Sequence, residues 1–247
     1  DLVERLGGRV ELRAGVERIR QGVDGRWVLS IGEREVVADD VVLALPFEQA
    51  RTLVGGMGLE AAEEVREELL GKMGRFVHAP FISILLWFDR VITDVPHAWL
   101  LDTTIQWFFH KSMIRGWGAE RGSYVELVIA GSREELGLGR SEILGPALEE
   151  LGRFFPEVGR ARVVKSGILK EARATFSVTP GLNGFRPGQR TGLAGLYLAG
   201  DWTATGWPST MEGAARSGRL AAGEVLGVGE RFLVPELGAE GLMKLLG

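Results

Sequence analysis

Leu196-Tyr197-Leu198-Ala199 has the composition of a short buried strand, and it ends at Gly200-Asp201. A strand stopping there puts one carboxylate at the carboxyl edge of a sheet, where open α/β folds bind their ligands. A carboxylate can accept two hydrogen bonds from a polyol chain. Pro208 then opens a helix whose first turns hold Thr210, Met211, Glu212, Gly213 and Ala214. The unpaired N–H groups and positive dipole end of such a helix suit an electron-rich ring. The plainer alternative makes Asp201 a turn residue and 206–208 an ordinary loop.

The other side chains able to do chemistry are few. The sequence has no cysteine and three scattered histidines, which excludes disulfides and thiolate metal sites and leaves little for any metal. Redox chemistry would have to come from a bound cofactor. His110 follows an aromatic run and tempts as an acid or base, but a histidine at a strand edge is most often a polar surface residue. Gly56-Met57-Gly58-Leu59-Glu60-Ala61 fits a dinucleotide turn in letters only, because a helix rather than a buried strand precedes it. A glycine-rich connection between helices explains it equally well.

The elements that must position these groups follow from pattern. Val10–Leu12, Trp27–Ile31, the weaker Glu33–Ala38 and Val41–Ala44 read as a small antiparallel meander ending on a more buried strand, with Asp24-Gly25 as a turn. Phe47–Val54 and Glu60–Leu70 read as helices, the second placing Val65 and Leu69 on one face. Strands are expected at 81–88, 98–101, 105–109, 124–130 and 162–169, and a helix over 141–155 with Ser141 as its N-cap. Residues 173–191 read as a long loop. Along the final helix Met211, Ala214, Ala215, Gly218, Ala221, Ala222 and Val225 recur at helical spacing and should face inward. The pieces 1–46 and 192–227 thus flank an inserted second domain, 47–191, and leave a tail, 228–247.

Composition narrows the partners. Lysine plus arginine number 29 against 33 acids, a net charge of −4, so nothing grips a phosphate backbone and nucleic acid is excluded. The longest apolar run, 81–88, is far shorter than the roughly 20 residues of a membrane-crossing helix. Leu242, Met243, Leu245 and Leu246 form a short apolar face, suited to packing on the body of a longer protein or to a peripheral membrane contact. Leu2–Leu6 reads as a helix already in progress at the first residue, so the chain is expected to be the carboxyl part of something longer.

The segment Ala199-Gly200-Asp201-Trp202-Thr203, followed by Thr205-Gly206-Trp207-Pro208-Ser209-Thr210-Met211-Glu212-Gly213-Ala214 and Arg216-Ser217-Gly218, resembles the carboxyl-terminal flavin signature of the FAD-dependent amine oxidase and phytoene desaturase superfamily. Its wording is most similar to the squalene-associated branch, the hydroxysqualene dehydroxylases of bacterial hopanoid synthesis. Leu86-Trp87-Phe88-Asp89-Arg90, Gln106-Trp107-Phe108-Phe109, Ala174-Thr175-Phe176, Thr179-Pro180 and Arg186-Pro187 match the same branch in the same order.

The resemblance implies an α/β and α+β fold: the carboxyl part of an FAD-binding Rossmann-like domain of the amine oxidase type, with an inserted mixed-sheet substrate domain. It implies FAD as cofactor, held by Gly200, Asp201, Thr210, Met211, Glu212, Gly213 and Ala214, with the Val16 backbone against the adenine. It implies a long-chain isoprenoid substrate and reductive dehydroxylation of hydroxysqualene to squalene; among the aromatic strand residues Trp107 and Phe109 are the candidates to line a tunnel for it, plain core packing being the alternative. A carotenoid desaturase, another flavoenzyme of the superfamily and an isoprenoid carrier without flavin are the alternatives. The branch has an amide or carboxylate where His110 stands, and no motif marks a catalytic residue. A cytoplasmic protein, peripheral at the inner face of the membrane, is expected. The family's amino-terminal G-x-G-x-x-G turn is absent from these residues, so the chain alone should bind FAD poorly and be inactive.

Overall fold

The computed structural model describes residues 2–57, 62–235 and 238. It forms two compact units, one made by the chain up to Phe76 and again from Val178, the other by Val77–Ser177.

The first unit begins with α1 (Leu2–Arg5), closed by Gly7 at φ 84 in the left-handed region that favours glycine. Strands β1 (Arg18–Gln21), β2 (Trp27–Ile31) and β3 (Arg34–Ala38) make an antiparallel meander in that order. The Asp24-Gly25 turn joins β1 to β2, with Asp24 Oδ1 accepting from the Arg26 N–H at 3.2 Å. The first expected strand is therefore displaced. Val10–Leu12 is not a strand; Val10 is 45% and Leu12 84% exposed, so its apolar alternation buries against nothing among the described residues, and β1 takes the place beside β2.

Next, β4 (Val41–Ala44) leaves the meander, and α2 (Phe47–Gly55) and α3 (Glu63–Met73) follow. The buried line of α2 is Phe47, Ala50 and Val54, and that of α3 is Leu69 and Met73, with Val65 half-buried. The start expected at Glu60, and residues 58–61 of the glycine-rich connection, lie outside the described residues. Phe47 packs on Phe76 at 5.5 Å between ring centroids, and Phe76 meets Trp202 edge-on at 6.0 Å. These rings tie both helices to the first unit, so the compact second unit is shorter than the 47–191 span marked out by the sequence.

That second unit holds β5 (His78–Phe88), β6 (His97–Trp99), β7 (Trp107–Phe109), the short α4 (Lys111–Ile114), β8 (Ser123–Ala130), α5 (Arg140–Phe154) and β9 (Val163–Phe176). The sheet order is β6-β7-β8-β5-β9, antiparallel at each pairing. Alternation along β5 and β8 sends Ile82, Ile84, Leu86, Phe88, Val125, Leu127 and Ile129 to one face, where they pack with Ile143, Ala147 and Leu151 of α5. Ser141 does not cap α5. Gly139 holds the cap position, and Glu142 reaches back to its N–H at 2.6 Å. Strand β9 runs on to Phe176 and claims the start of the expected 173–191 loop.

The chain then returns to the first unit. Strand β10 (Leu196–Ala199) pairs in parallel with β4, Leu196 opposite Val41 and Ala199 opposite Ala44, and all four of its residues are buried. The indole N–H groups of Trp27 and Trp202 donate to Ala194 and Leu45 carbonyls, both at 2.9 Å, and brace the strand pair from either end. Helix α6 (Met211–Val225) closes the fold, and Gly223 lets the Gly229 carbonyl pass where a Cβ would stand. The apolar face at 242–246 lies outside the described residues.

Candidate cofactor site

Where β10 ends, Gly200 turns the chain at φ 154, and a Cβ there would stand 2.3 Å from the Trp202 indole nitrogen. Only glycine allows that turn. Its N–H donates to Ser217 Oγ at 2.7 Å, and its carbonyl accepts from the buried Thr203 hydroxyl at 2.8 Å. Asp201 follows, half-buried, and its Oδ2 accepts a hydrogen bond from the Ser209 hydroxyl.

Helix α6 starts at Met211, three residues later than proline punctuation suggests. Thr210, extended at φ −145 and ψ 167, is the N-cap, and its Oγ1 accepts from the Gly213 N–H at 3.0 Å. The Ala214 N–H is used by the Thr210 carbonyl. This leaves the N–H groups of Met211 and Glu212 as the open donors of the first turn. Gly213 is buried because the Pro208 carbonyl oxygen lies 2.6 Å from where its Cβ would be.

The inward face of α6 differs from expectation. Gly213, Ser217 and Ala221 are buried, while Met211, Ala214, Ala215, Gly218 and Ala222 are exposed. The cause is Ser217, whose hydroxyl links the helix to Gly200 and so turns its own column toward β10. Periodicity counted small apolar residues and overlooked a serine with a backbone partner.

Asp201, Thr210, Met211, Glu212, Gly213 and Ala214 are thus brought onto one loop and helix start, with Gly200 as the hinge behind them. Val16 is not part of this loop; it is half-buried in the segment ahead of β1. A carboxylate acceptor, two open N–H groups and a positive helix end are chemically suited to a polyol chain and to negative charge on a ring such as those of a flavin. Among the described residues no group of His, Asp or Glu could hold a metal ion. No described helix is long and apolar enough to cross a membrane.

In the second unit, Trp107 and Phe109 lie on the sheet face opposite α5, stacked at 5.8 Å. Trp99 adds to them at 4.9 Å from Trp107, and Trp87 stacks on Tyr124 at 4.3 Å on the same face. The register sets Val128, Ser83 and Leu169 beside Trp107, and Leu85 and Gly167 beside the Glu126 that pairs with Phe109. Glu126 is ion-paired with Lys111 at 2.7 Å. The surface between them joins these aromatic and aliphatic groups to Ser83, the Glu126–Lys111 pair and the Lys165 ammonium, which lies 4.9 Å over the Trp87 ring.

His110 is not the surface residue expected. It is 3% exposed, its Nδ1 has no hydrogen-bond partner, and burial holds its pKa below the usual imidazole value, opposed in part by a hydrogen bond to the Val95 backbone. Arg186 was visible in sequence only as part of a motif. Its guanidinium is anchored on the Asp201 loop, and burial lowers its pKa against the raising influence of Asp201.

Residues 1–226 match the family model described as flavin containing amine oxidoreductase. The chain is 28% identical over 238 residues to the 15-cis-phytoene desaturase of Narcissus pseudonarcissus, covering 92% of this chain and 40% of that protein. It is 30% identical over 226 residues to the hydroxysqualene dehydroxylase of Sinorhizobium fredii, covering 90% of this chain and 47% of that one. Two solved structures share the fold. An oxidoreductase from Methanosarcina mazei has a TM-score of 0.64 at 19% identity over 87% of this chain and 50% of its own. Cyclohexylamine oxidase from Brevibacterium oxydans has 0.58 at 14% over 86% and 48%. The chain therefore spans less than half the length of these two curated relatives.

Proposed function

From the premise that the chain belongs to the flavin containing amine oxidoreductase family, whose cofactor is FAD, we propose that the whole protein is an oxidoreductase acting on a long-chain isoprenoid. The reaction we propose is reductive dehydroxylation of hydroxysqualene to squalene, a step of hopanoid synthesis. The observation that carries the substrate class is the open sheet face bearing Trp87, Trp99, Trp107, Phe109 and Tyr124. A small polar amine would leave most of that face without a partner, whereas a polyene chain covers it. Burying several hundred Å² of hydrocarbon is worth on the order of 10 kcal/mol before ordering costs, so apolar contact rather than an ionic anchor would supply the affinity.

When bound in its reduced form, FAD would supply two electrons as a hydride equivalent to the allylic carbon and end oxidised, while the hydroxyl takes up a proton and leaves as water. Asp201 accepts hydrogen bonds from the ribityl hydroxyls. Met211 and Glu212 offer their backbone N–H groups, with the helix dipole behind them, to negative charge at the pyrimidine edge. Trp107 and Phe109 orient the hydrocarbon and exclude water. Cytoplasmic location with peripheral contact at the membrane's inner face fits a substrate that partitions into lipid.

A second reading, desaturation of a phytoene-like carotenoid precursor, is favoured by the phytoene desaturase relatives. Product analysis separates the two. The whole protein with reduced FAD and hydroxysqualene, without oxygen, should yield squalene. Conversion of phytoene by the oxidised protein, with hydroxysqualene untouched, would replace the first reading with the second. A whole protein without absorbance near 450 nm, roughly the flavin band, and still binding prenyl chains would be a carrier instead.

A further inference from the structure

Arg186 reaches from the segment after β9 into the loop that carries Asp201. Its Nη2 donates to the Asp201 carbonyl oxygen at 2.6 Å and to Thr205 Oγ1 at 3.1 Å, and its Nη1 donates to the Trp207 carbonyl oxygen at 2.7 Å. One planar fork therefore gathers acceptors from three residues of a single loop, a task for which the point charge of lysine is poorly shaped. Beside it, the Gln189 amide donates to Thr203 Oγ1 at 2.9 Å, and the Ala204 N–H donates to the Pro187 carbonyl at 2.8 Å. From the helix side, Arg216 donates to the Thr205 carbonyl at 3.4 Å and lies over the Trp207 ring.

All of these bonds are to backbone or hydroxyl groups of 201–207, and the Asp201 side chain is left for Ser209 and for a ligand. A half-buried cation is costly to desolvate unless donors are used, and here both Nη groups are used to shape a loop. We infer that Arg186 is a positioning residue for the cofactor. It fixes the 200–210 loop so that the Asp201 carboxylate and the open N–H groups of Met211 and Glu212 are presented together before FAD arrives. This rests on the flavin role of Asp201 and is independent of which isoprenoid is turned over.

The test uses the whole protein, with FAD affinity read from the quenching of flavin fluorescence on titration into apoprotein, and loop order read from amide hydrogen exchange. Arg186→Lys should raise the Kd for FAD about tenfold and speed exchange across 200–210, leaving exchange in β5 and β8 unchanged. Combined with Asp201→Ala, it should weaken binding by much less than the product of the two single losses, because it acts through the loop that Asp201 belongs to. Parental affinity in Arg186→Lys, or losses that multiply in the double variant, would overturn the inference. Should Arg186→Lys fail to fold, Thr205→Val removes one acceptor of the fork and should give a smaller loss with the same exchange signature; parental behaviour there would overturn it too. Failure of the isoprenoid reading would look different, as absence of turnover with FAD affinity intact.

Discussion

The Ser209 hydroxyl donates to Asp201 Oδ2, closing the loop between β10 and α6 with its own side chains. That bond engages one carboxylate oxygen; the other is the one proposed to accept from the polyol. Asp201→Ala removes a charged acceptor worth about 1.5–3 kcal/mol, or roughly ten- to a hundredfold in FAD affinity. Ser209→Ala removes the brace and leaves the carboxylate, and should cost about fivefold. Flavin content after dialysis of the whole protein checks both; equal occupancy in Asp201→Ala and parent would remove Asp201 from the site.

Gly213 provides a test of loop geometry separate from charge. An added Cβ would stand 2.6 Å from the Pro208 carbonyl oxygen, a backbone atom that cannot swing aside. Gly213→Ala should therefore destabilise the protein by about 1–3 kcal/mol, as overpacking does. It should also weaken FAD retention, because the Pro208–Thr210 turn has to move. Gly218→Ala, at an open position on the same helix, is the control and should be neutral or slightly stabilising. Equal melting temperatures for Gly213→Ala and parent would contradict the packing described.

The strand that places Asp201 was legible because four apolar residues and a Gly-Asp stop need no tertiary information. Gly200, Asp201 and Thr210 could be located for the same reason. The inward face of α6 was not, because hydrophobic periodicity cannot see that Ser217 bonds to Gly200 across the gap between helix and strand. Nor could alternation tell that Val10–Leu12 has no strand partner among the described residues while the polar Arg18–Gln21 has one. Arg186 escaped for a related reason: its value lies in three acceptors brought together by the fold, none of them marked by residue type. His110 was misjudged because its burial comes from neighbours such as Phe108, 6.2 Å away between rings, and not from its own place in a pattern.

Buried His110 makes stability depend on pH. Its folded pKa lies below the unfolded value of about 6.5, so between the two the unfolded chain binds more protons than the folded one. Its contribution is thus complete above about pH 6.5 and declines as pH falls below that value toward the folded pKa. Urea midpoints from pH 8 to 5 should drop on the acid side, and His110→Gln should flatten part of that drop. A parental midpoint that rises on acidification, or one whose acid-side slope is the same in His110→Gln, would contradict this assignment.

The 247 residues include the Asp201 loop proposed to hold the flavin and no strand–G-x-G-x-x-G–helix turn for the pyrophosphate. Expressed alone, the chain should leave gel filtration without FAD and without activity, and supplying FAD in excess should not change this. A yellow, monodisperse product would show that the Asp201 loop and α6 hold the cofactor without that turn.

The aromatic face should separate substrate binding from cofactor binding. Trp107 touches Trp99 and Phe109 through its ring, and no residue of the Asp201 loop belongs to its compact unit. Trp107→Ala removes an indole from the surface proposed to carry the hydrocarbon, and burial of such a ring is worth about 1.5–3 kcal/mol. The KM for hydroxysqualene should rise roughly tenfold or more, with flavin content unchanged and kcat less affected, the pattern of lost uniform binding. Phe109→Leu keeps apolar area but not the flat stack, and should fall between parent and Trp107→Ala. Parental kinetics in Trp107→Ala, or faster oxidation of soluble amines than conversion of any isoprenoid by the parent, would take the substrate away from this sheet face.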